Sequence, residues 1–204
     1  RKMCIRDRTN YVRKIVSGVE SMSRLVNNLL DLGRIEAGIG LQLELVPVQD
    51  TIERVTGALQ LQASQKRIQI EVDVPSQTIP LVEADQALLQ QALQNLVENA
   101  IKYTPPEGKI KVCVQTRQDR MVFEVIDTGI GVSPMDQPRL FEKFYRGAQQ
   151  ISKEQRGTGL GLAIVKSIAE RHGGQVWVES QLGKGSKFYL SIPLRQNKMA
   201  LEKI

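Results

Sequence analysis

The stretch DQALLQQALQNLVENAIKY, residues 85–103, carries apolar residues at Leu89, Ala92, Leu93, Leu96 and Ala100. Those steps of three and four mark one face of an α-helix. Asp85 starts it, and Pro105 and Pro106 end it just after Tyr103. At 100° per residue, Asn95, Asn99 and Lys102 fall in a stripe about 60° wide beside the apolar face. Two amides and an ammonium at the edge of a core face suit a pocket. An amide oxygen is a hard, neutral ligand, suited to a magnesium ion that keeps its waters and takes further ligands from phosphates. A solvated helix edge gives the same pattern, so this helix alone leaves the function open.

Strand signatures surround it. Residues 110–116 and 121–126 form two strands joined by a polar turn at 117–120. Ile68, Ile70, Val72 and Val74 alternate, as do Leu41, Leu43 and Leu45. Asp50 and Glu53 have capping-box spacing ahead of a helix reaching about residue 65. A further helix over 158–172 is stopped by Gly173-Gly174, and strands at 175–179 and 187–192 follow. Residues 127–157 show no periodicity. The run is too long for a plain connection, which predicts a functional lid, mobile without its ligand. The expected fold is an α/β (α+β) two-layer sandwich with a mixed sheet and helices on one face.

Ahead of the sandwich, residues 9–37 carry a stripe at Val12, Ile15, Val16, Val19, Met22, Val26, Leu29 and Leu30, and Gly38 stops the helix. Such a helix is about 43 Å long and needs a partner, as in a bundle or coiled coil. Residues 1–8 fit no pattern and read as foreign sequence or linker.

The chain has 204 residues, 41% apolar and 25% charged, enough for a folded core. Net charge is +6, but the basic residues form no run, and only four Tyr, four Phe and one Trp are present to stack bases. No nucleic-acid partner is expected. Cys4 and Cys113 have neither metal-ligand spacing nor a disulfide framework, and Cys113 sits in an apolar run as an expected buried thiol. No stretch approaches a membrane span.

Two glycine motifs add chemistry. Asp127-Thr-Gly-Ile-Gly131 follows a strand, where a carboxylate can accept from an exocyclic amine and Gly129 and Gly131 admit a ligand to the backbone. It also makes a fair tight turn. Gly157-Thr-Gly-Leu-Gly161 opens a helix, whose N-terminal N–H groups favour phosphate. It is neither a Walker loop nor a dinucleotide fingerprint.

The order and spacing of five motifs decide. Asn-x-x-x-Asn-Ala at 95–100, Asp-x-Gly-x-Gly at 127–131, Phe-x-x-Phe-Tyr-Arg at 141–146, Gly-x-Gly-x-Gly at 157–161 and Gly-Lys-Gly-Ser at 183–186 occur in that sequence. Over about residues 9–194 the chain resembles the bacterial sensor histidine kinase family of two-component systems. The resemblance implies the ATP-binding sandwich shared with gyrase and the Hsp90 chaperones, with ATP and Mg2+ as cofactors. It implies Asn99 as the Mg2+ ligand, with Asn95 one turn before it, and Lys102 and Arg146 as cations at the phosphates. By the same resemblance Tyr103 is expected to pack at adenine or ribose, and Asp127 to read adenine in a loop shaped by Gly129 and Gly131. Phe141 and Phe144 look like lid anchors. Gly157, Thr158, Gly159, Leu160 and Gly161 resemble a phosphate-facing loop, and Ser186 resembles a hydroxyl on the adenine side.

Residues 9–40 resemble the second helix of the family's dimerisation and phosphotransfer unit, 41–194 its ATP-binding domain, and 195–204 a tail. The family's acceptor histidine, in its Arg-Thr-Pro setting, has no counterpart here. The one histidine, His172, closes a helix and reads as structural. The resemblance therefore implies an acceptor helix upstream, a homodimer in the full-length protein, a response regulator partner and a cytoplasmic catalytic part, with any membrane attachment through upstream regions. The chain by itself is expected to bind ATP, to dimerise poorly and not to label itself. A gyrase-like ATPase switch or a silent binding module are the alternatives. In the gyrase-like relatives a glutamate activates water at the slot held here by Asn95. Glu98 lies about 100° around the helix from Asn99 and is not expected to face the same atom.

Overall fold

Ile110, Val112 and Val114 on β4 (Lys109–Arg117) and Met121, Phe123 and Val125 on β5 (Arg120–Asp127) turn to one side of an antiparallel hairpin and are buried there. In the computed structural model, which describes residues 5–38, 40–74, 80–147 and 157–196, this hairpin is the centre of a five-stranded sheet. The strand order is β2-β4-β5-β7-β6, with β2 (Gln69–Asp73), β6 (Gln175–Gln181) and β7 (Gly185–Pro193) completing it. Only the β2–β4 pair is parallel, so the sheet is mixed. A two-stranded ladder of β1 (Glu44–Val46) and β3 (Val82–Ala84) lies apart from it.

Helices α2 (Val48–Gln65), α3 (Gln86–Tyr103) and α4 (Gly161–Arg171) cover one face of the sheet. Ile52, Leu89, Leu93, Leu96, Ile164 and Ile168 meet Phe123 and Leu190 in a continuous core. This is the expected two-layer sandwich. The outer sheet face carries Lys111, Glu124, Lys187 and a stacked Trp177–Tyr189 pair with ring centroids 4.7 Å apart. Cys113 belongs to that outer face and is half-buried, not in the core as its apolar neighbours suggested. Partial burial holds its thiol above the usual range.

Helix α1 (Ile5–Glu36) begins earlier than the apolar stripe implied and includes residues read as foreign. Leu32 and Ile35 are buried against the sandwich, whereas Val12, Ile15, Val16, Val19, Met22, Val26 and Leu30 are exposed. Among the described residues no helix is long and apolar enough to cross a membrane.

Three local readings are corrected. The Leu41, Leu43 and Leu45 alternation does not define a buried strand face, because β1 spans three residues and buries Val46 while Leu45 is exposed. Asp50 does not cap α2. The helix starts after Pro47 with no side-chain cap, and Asp50 sits in the first turn, where it complements the dipole. The glycine run 157–160 precedes α4 as irregular chain, and only Gly161 lies within the helix. Of the expected lid, a 3₁₀ turn at Gln137–Arg139 is the regular part. Residues 148–156 lie outside the described residues.

Candidate functional site

A cavity of about 890 Å³ opens where the C-terminal half of α3 meets the end of β5 and the glycine-rich run before α4. The β5–β7 register sets Asp127 opposite Ser186, so both reach the cavity from the sheet end.

On α3, Asn95, Asn99 and Lys102 line the cavity, as their shared stripe requires, and Tyr103 lines it beside them. Asn95 donates through Nδ2 to the Gln91 carbonyl (3.1 Å), which leaves its Oδ1 towards α4. A side chain at Gly161 would place its Cβ 3.1 Å from that oxygen, a contact tight enough that the Asn95 amide would have to shift. The Lys102 ammonium lies 4.7 Å from the centre of the Tyr103 ring and against Gly157.

Asp127 is 5% exposed and accepts from the Gly129 N–H (2.8 Å) and from the Ser186 backbone. Burial outweighs both bonds and pushes its carboxyl up to about 6. Both bonds come from backbone N–H groups, and the cavity side can receive a further donor. Ser186 holds its hydroxyl 3.0 Å from that of Ser180.

Gly131 and Gly159 stand at φ +69° and +72°. A Cβ on Gly131 would run into the Gln181 carbonyl, and one on Gly159 would sit 2.7 Å from the Phe144 backbone. Phe144, itself at φ 63°, donates its N–H to the Gly159 carbonyl (3.0 Å). Its ring is exposed and does not line the cavity, whereas Phe141 packs on the core. The segment expected to act as a lid is therefore held at 144 by main chain and at 141 by side chain.

Arg146, Thr158, Gly157, Gly159, Gly161 and Ser186 also line the cavity. Gly129 and Leu160 do not. Gly129 lies beneath, with its Cβ position 2.6 Å from the Tyr103 carbonyl. The Leu160 side chain is fully buried in the core, leaving only its main chain for a ligand. Glu98 also lines the cavity, but its carboxylate is turned to Gln94, accepting from Nε2 (2.8 Å).

The sequence reading missed two supports. A lid clamp joins Asp136 to the Tyr145 hydroxyl (2.6 Å) and the Ser133 hydroxyl (2.9 Å), with the Arg139 guanidinium 4.4 Å above the Tyr145 ring. The Tyr145 bond first, then that from Ser133, holds the Asp136 carboxyl below the usual range. Ser133-x-x-Asp136 spacing was the available signal. Helix α1 supplies a second support. Met22, Arg24, Leu25 and Asn28 form one cavity wall, and Asn28 Nδ2 donates to the Thr158 hydroxyl (3.3 Å).

Among the described residues no group of three or more His, Cys, Asp or Glu could hold a metal. An all-protein cage is thus not what this cavity offers. The neutral amides of Asn95 and Asn99, which line the cavity beside the glycine run, are of the kind that could hold a Mg2+ ion sharing its other ligands with water or a bound ligand.

Residues 84–196 match the family described as histidine kinase-, DNA gyrase B-, and HSP90-like ATPase. The circadian input-output histidine kinase CikA of Synechococcus elongatus is 37% identical over 185 residues, covering 90% of this chain and 24% of its own length. The sensor-like histidine kinase SenX3 of Mycolicibacterium smegmatis is 35% identical over 184 residues, 90% of this chain and 47% of its own. Among solved structures, full-length ShkA in complex with AMPPNP superposes with a TM-score of 0.80 at 32% identity, covering 97% of this chain and 41% of that one. The chain spans about a quarter of the length of CikA and about half that of SenX3.

Proposed function

Because the chain belongs to the histidine kinase-, DNA gyrase B- and HSP90-like ATPase family and carries the ATP-binding core of a sensor histidine kinase, we propose that it binds Mg2+-ATP in the cavity and transfers the terminal phosphoryl group to a protein histidine. One observation carries this reading. Asn99, Lys102, Asp127, the Gly157–Gly161 run and Ser186, far apart in sequence, line or border a single cavity.

In this reading Asp127 accepts from the adenine amine, with Gly129 and Gly131 shaping its loop and the Ser186 hydroxyl beside the ring. Tyr103 packs on adenine or ribose. N–H groups from Gly157, Thr158, Gly159, Leu160 and Gly161, at the positive end of α4, receive phosphate oxygens. Lys102 and Arg146 neutralise phosphate charge, and Phe144 ties the lid to Gly159. Asn99 holds Mg2+, which when bound screens the phosphate oxygens. Phosphoryl transfer asks chiefly for such positioning and charge neutralisation.

Asn95 cannot serve as a base, which favours transfer over hydrolysis. The placement of Glu98 in the cavity supports a second reading, an ATPase switch in which Glu98 activates water. Its engagement by Gln94 counts against that role. Phosphate release from ATP, slowed in Glu98→Gln, would favour the switch.

The acceptor histidine is proposed to lie on a partner helix that pairs with α1. The exposed row from Val12 to Leu30 supports a bundle of two such chains in the full-length protein. A response regulator is the proposed next acceptor. The test joins a relative's histidine-bearing helix ahead of Thr9 and supplies labelled ATP. An acid-labile label on that helix, lost in Asn99→Ala, is expected. No label under any condition, with ATP bound, contradicts the transfer.

A further inference from the structure

Lys66 follows the last residue of α2 and is half-buried, outside the cavity. Its ammonium donates to three carbonyls: Ile101 (2.7 Å), Lys102 (2.9 Å) and Thr104 (3.2 Å). That uses every proton an ammonium has. These carbonyls end α3. The chain continues into Pro105 and Pro106, which have no N–H to return to them. A cation there also meets the negative end of the helix dipole. The main chain of the same residue accepts from the Glu107 N–H (3.0 Å). One residue thus ties the end of α2, the end of α3 and the turn at 105–108.

The turn so held is the one that presents Lys102 and Tyr103 to the cavity. The Tyr103 carbonyl in turn accepts from the Ile130 N–H (3.2 Å), which fixes the loop after Asp127 to the same helix end. Without the ammonium, three partly buried carbonyls lose their donor, and the last turn of a helix is where fraying begins.

We propose that Lys66 is a positioning residue for nucleotide binding, clamping the last turn of α3 so that Lys102, Tyr103 and the Asp127–Gly131 loop stand in register with the nucleotide. The inference rests on the nucleotide reading of the cavity and extends it to a residue that touches no ligand.

The test is ATP affinity by calorimetry, together with amide exchange, in Lys66→Met and Lys66→Gln. Measurements are made where circular dichroism shows each variant folded. Methionine keeps the length and loses every donor, and glutamine keeps two. The Kd for ATP should rise about tenfold or more in Lys66→Met and less in Lys66→Gln. The amides of Thr104 and Ile130 should exchange faster in the same order. A merely structural lysine would lower Tm and leave the Kd of the folded protein alone. Accordingly, folded Lys66→Met with a Kd within about twofold of wild type overturns the proposal. Should the methionine variant not fold, Lys66→Gln decides, and a wild-type Kd there overturns it equally. A wild-type chain that binds no ATP overturns instead the reading on which the clamp depends.

Discussion

Asp127 sets a stability cost against a binding need. Its carboxyl rises from 3.8 to about 6 because burial disfavours the charge, a difference of about 3 kcal/mol between protonation states. Between those values the folded chain holds a proton that the unfolded chain has released, so ionised Asp127 weakens the fold as pH rises through about 6. In the proposed nucleotide reading the same ionised form accepts from adenine. Asp127→Asn should therefore raise Tm at neutral pH, by up to about 6–12 °C, while weakening ATP binding, measured by scanning calorimetry and titration on the same sample. ATP affinity of the wild type should also fall as pH drops below about 6. Gly159 makes a sharper case. At φ +72°, with a Cβ 2.7 Å from the Phe144 backbone, alanine is strained and displaces the lid anchor. Gly159→Ala should cost about 1–2 kcal/mol in denaturant melts and abolish measurable ATP binding, whereas Gly57→Ala, in open helix, should do neither. The stripe of Asn95, Asn99 and Lys102 was legible because helical geometry fixes it. That Glu98 would also line the cavity was not legible, since a long side chain reaches it from a neighbouring direction. Leu160 faces the core although its neighbours in the motif face the cavity.

The α3–α4 pair shows what an element contributes beyond its length. His172 ends α4 with both ring nitrogens engaged, Nδ1 to the Ile168 carbonyl (2.8 Å) and Nε2 receiving the Asp85 N–H (3.0 Å). Asp85 caps α3 by accepting from Leu88 N–H (3.0 Å) and accepts from Gln42 N–H (3.1 Å) beyond α1. Burial, the leading cause, lowers the His172 pKa from 6.5; the bond to the Ile168 carbonyl and then Asp85 oppose that shift, and Arg171 adds to it. The folded ring stays neutral while the unfolded ring takes a proton below about 6.5, so stability from this contact is present above that pH and lost as pH falls. His172→Ala should cost about 2–4 kcal/mol at neutral pH and flatten the acid limb of the stability profile, read from urea melts between about pH 8 and about pH 5. Periodicity found the three sandwich helices and the long strands of the sheet. It missed β3, whose three residues are held by pairing with β1 and by the Leu194 carbonyl, which accepts from Glu83 N–H (2.9 Å). Non-local pairing of that kind leaves no pattern in a short segment.

At the scale of the molecule, α1 joins the sandwich. Leu32 and Ile35 pack on it, Gln91 donates to Asp31 (2.9 Å), and Asn28 reaches the Thr158 hydroxyl beside the glycine run. The sequence marked α1 as a bundle helix through its exposed row. Its second role, as a cavity wall, depends on how two units meet and has no signature in either. The His172 contacts also lead to a prediction for this chain by itself. With its one imidazole buried and engaged, it should bind ATP and take up no acid-labile label, and a label lost in His172→Gln would contradict that. The nucleotide site remains the centre on which transfer, the α3 clamp and the Asp127 trade-off all depend. Its most direct test is calorimetric titration of the 204-residue chain with ATP, with and without Mg2+. A saturable single site is expected, weakened by Asn99→Ala only when Mg2+ is present. No binding at millimolar nucleotide and Mg2+ would contradict the site itself.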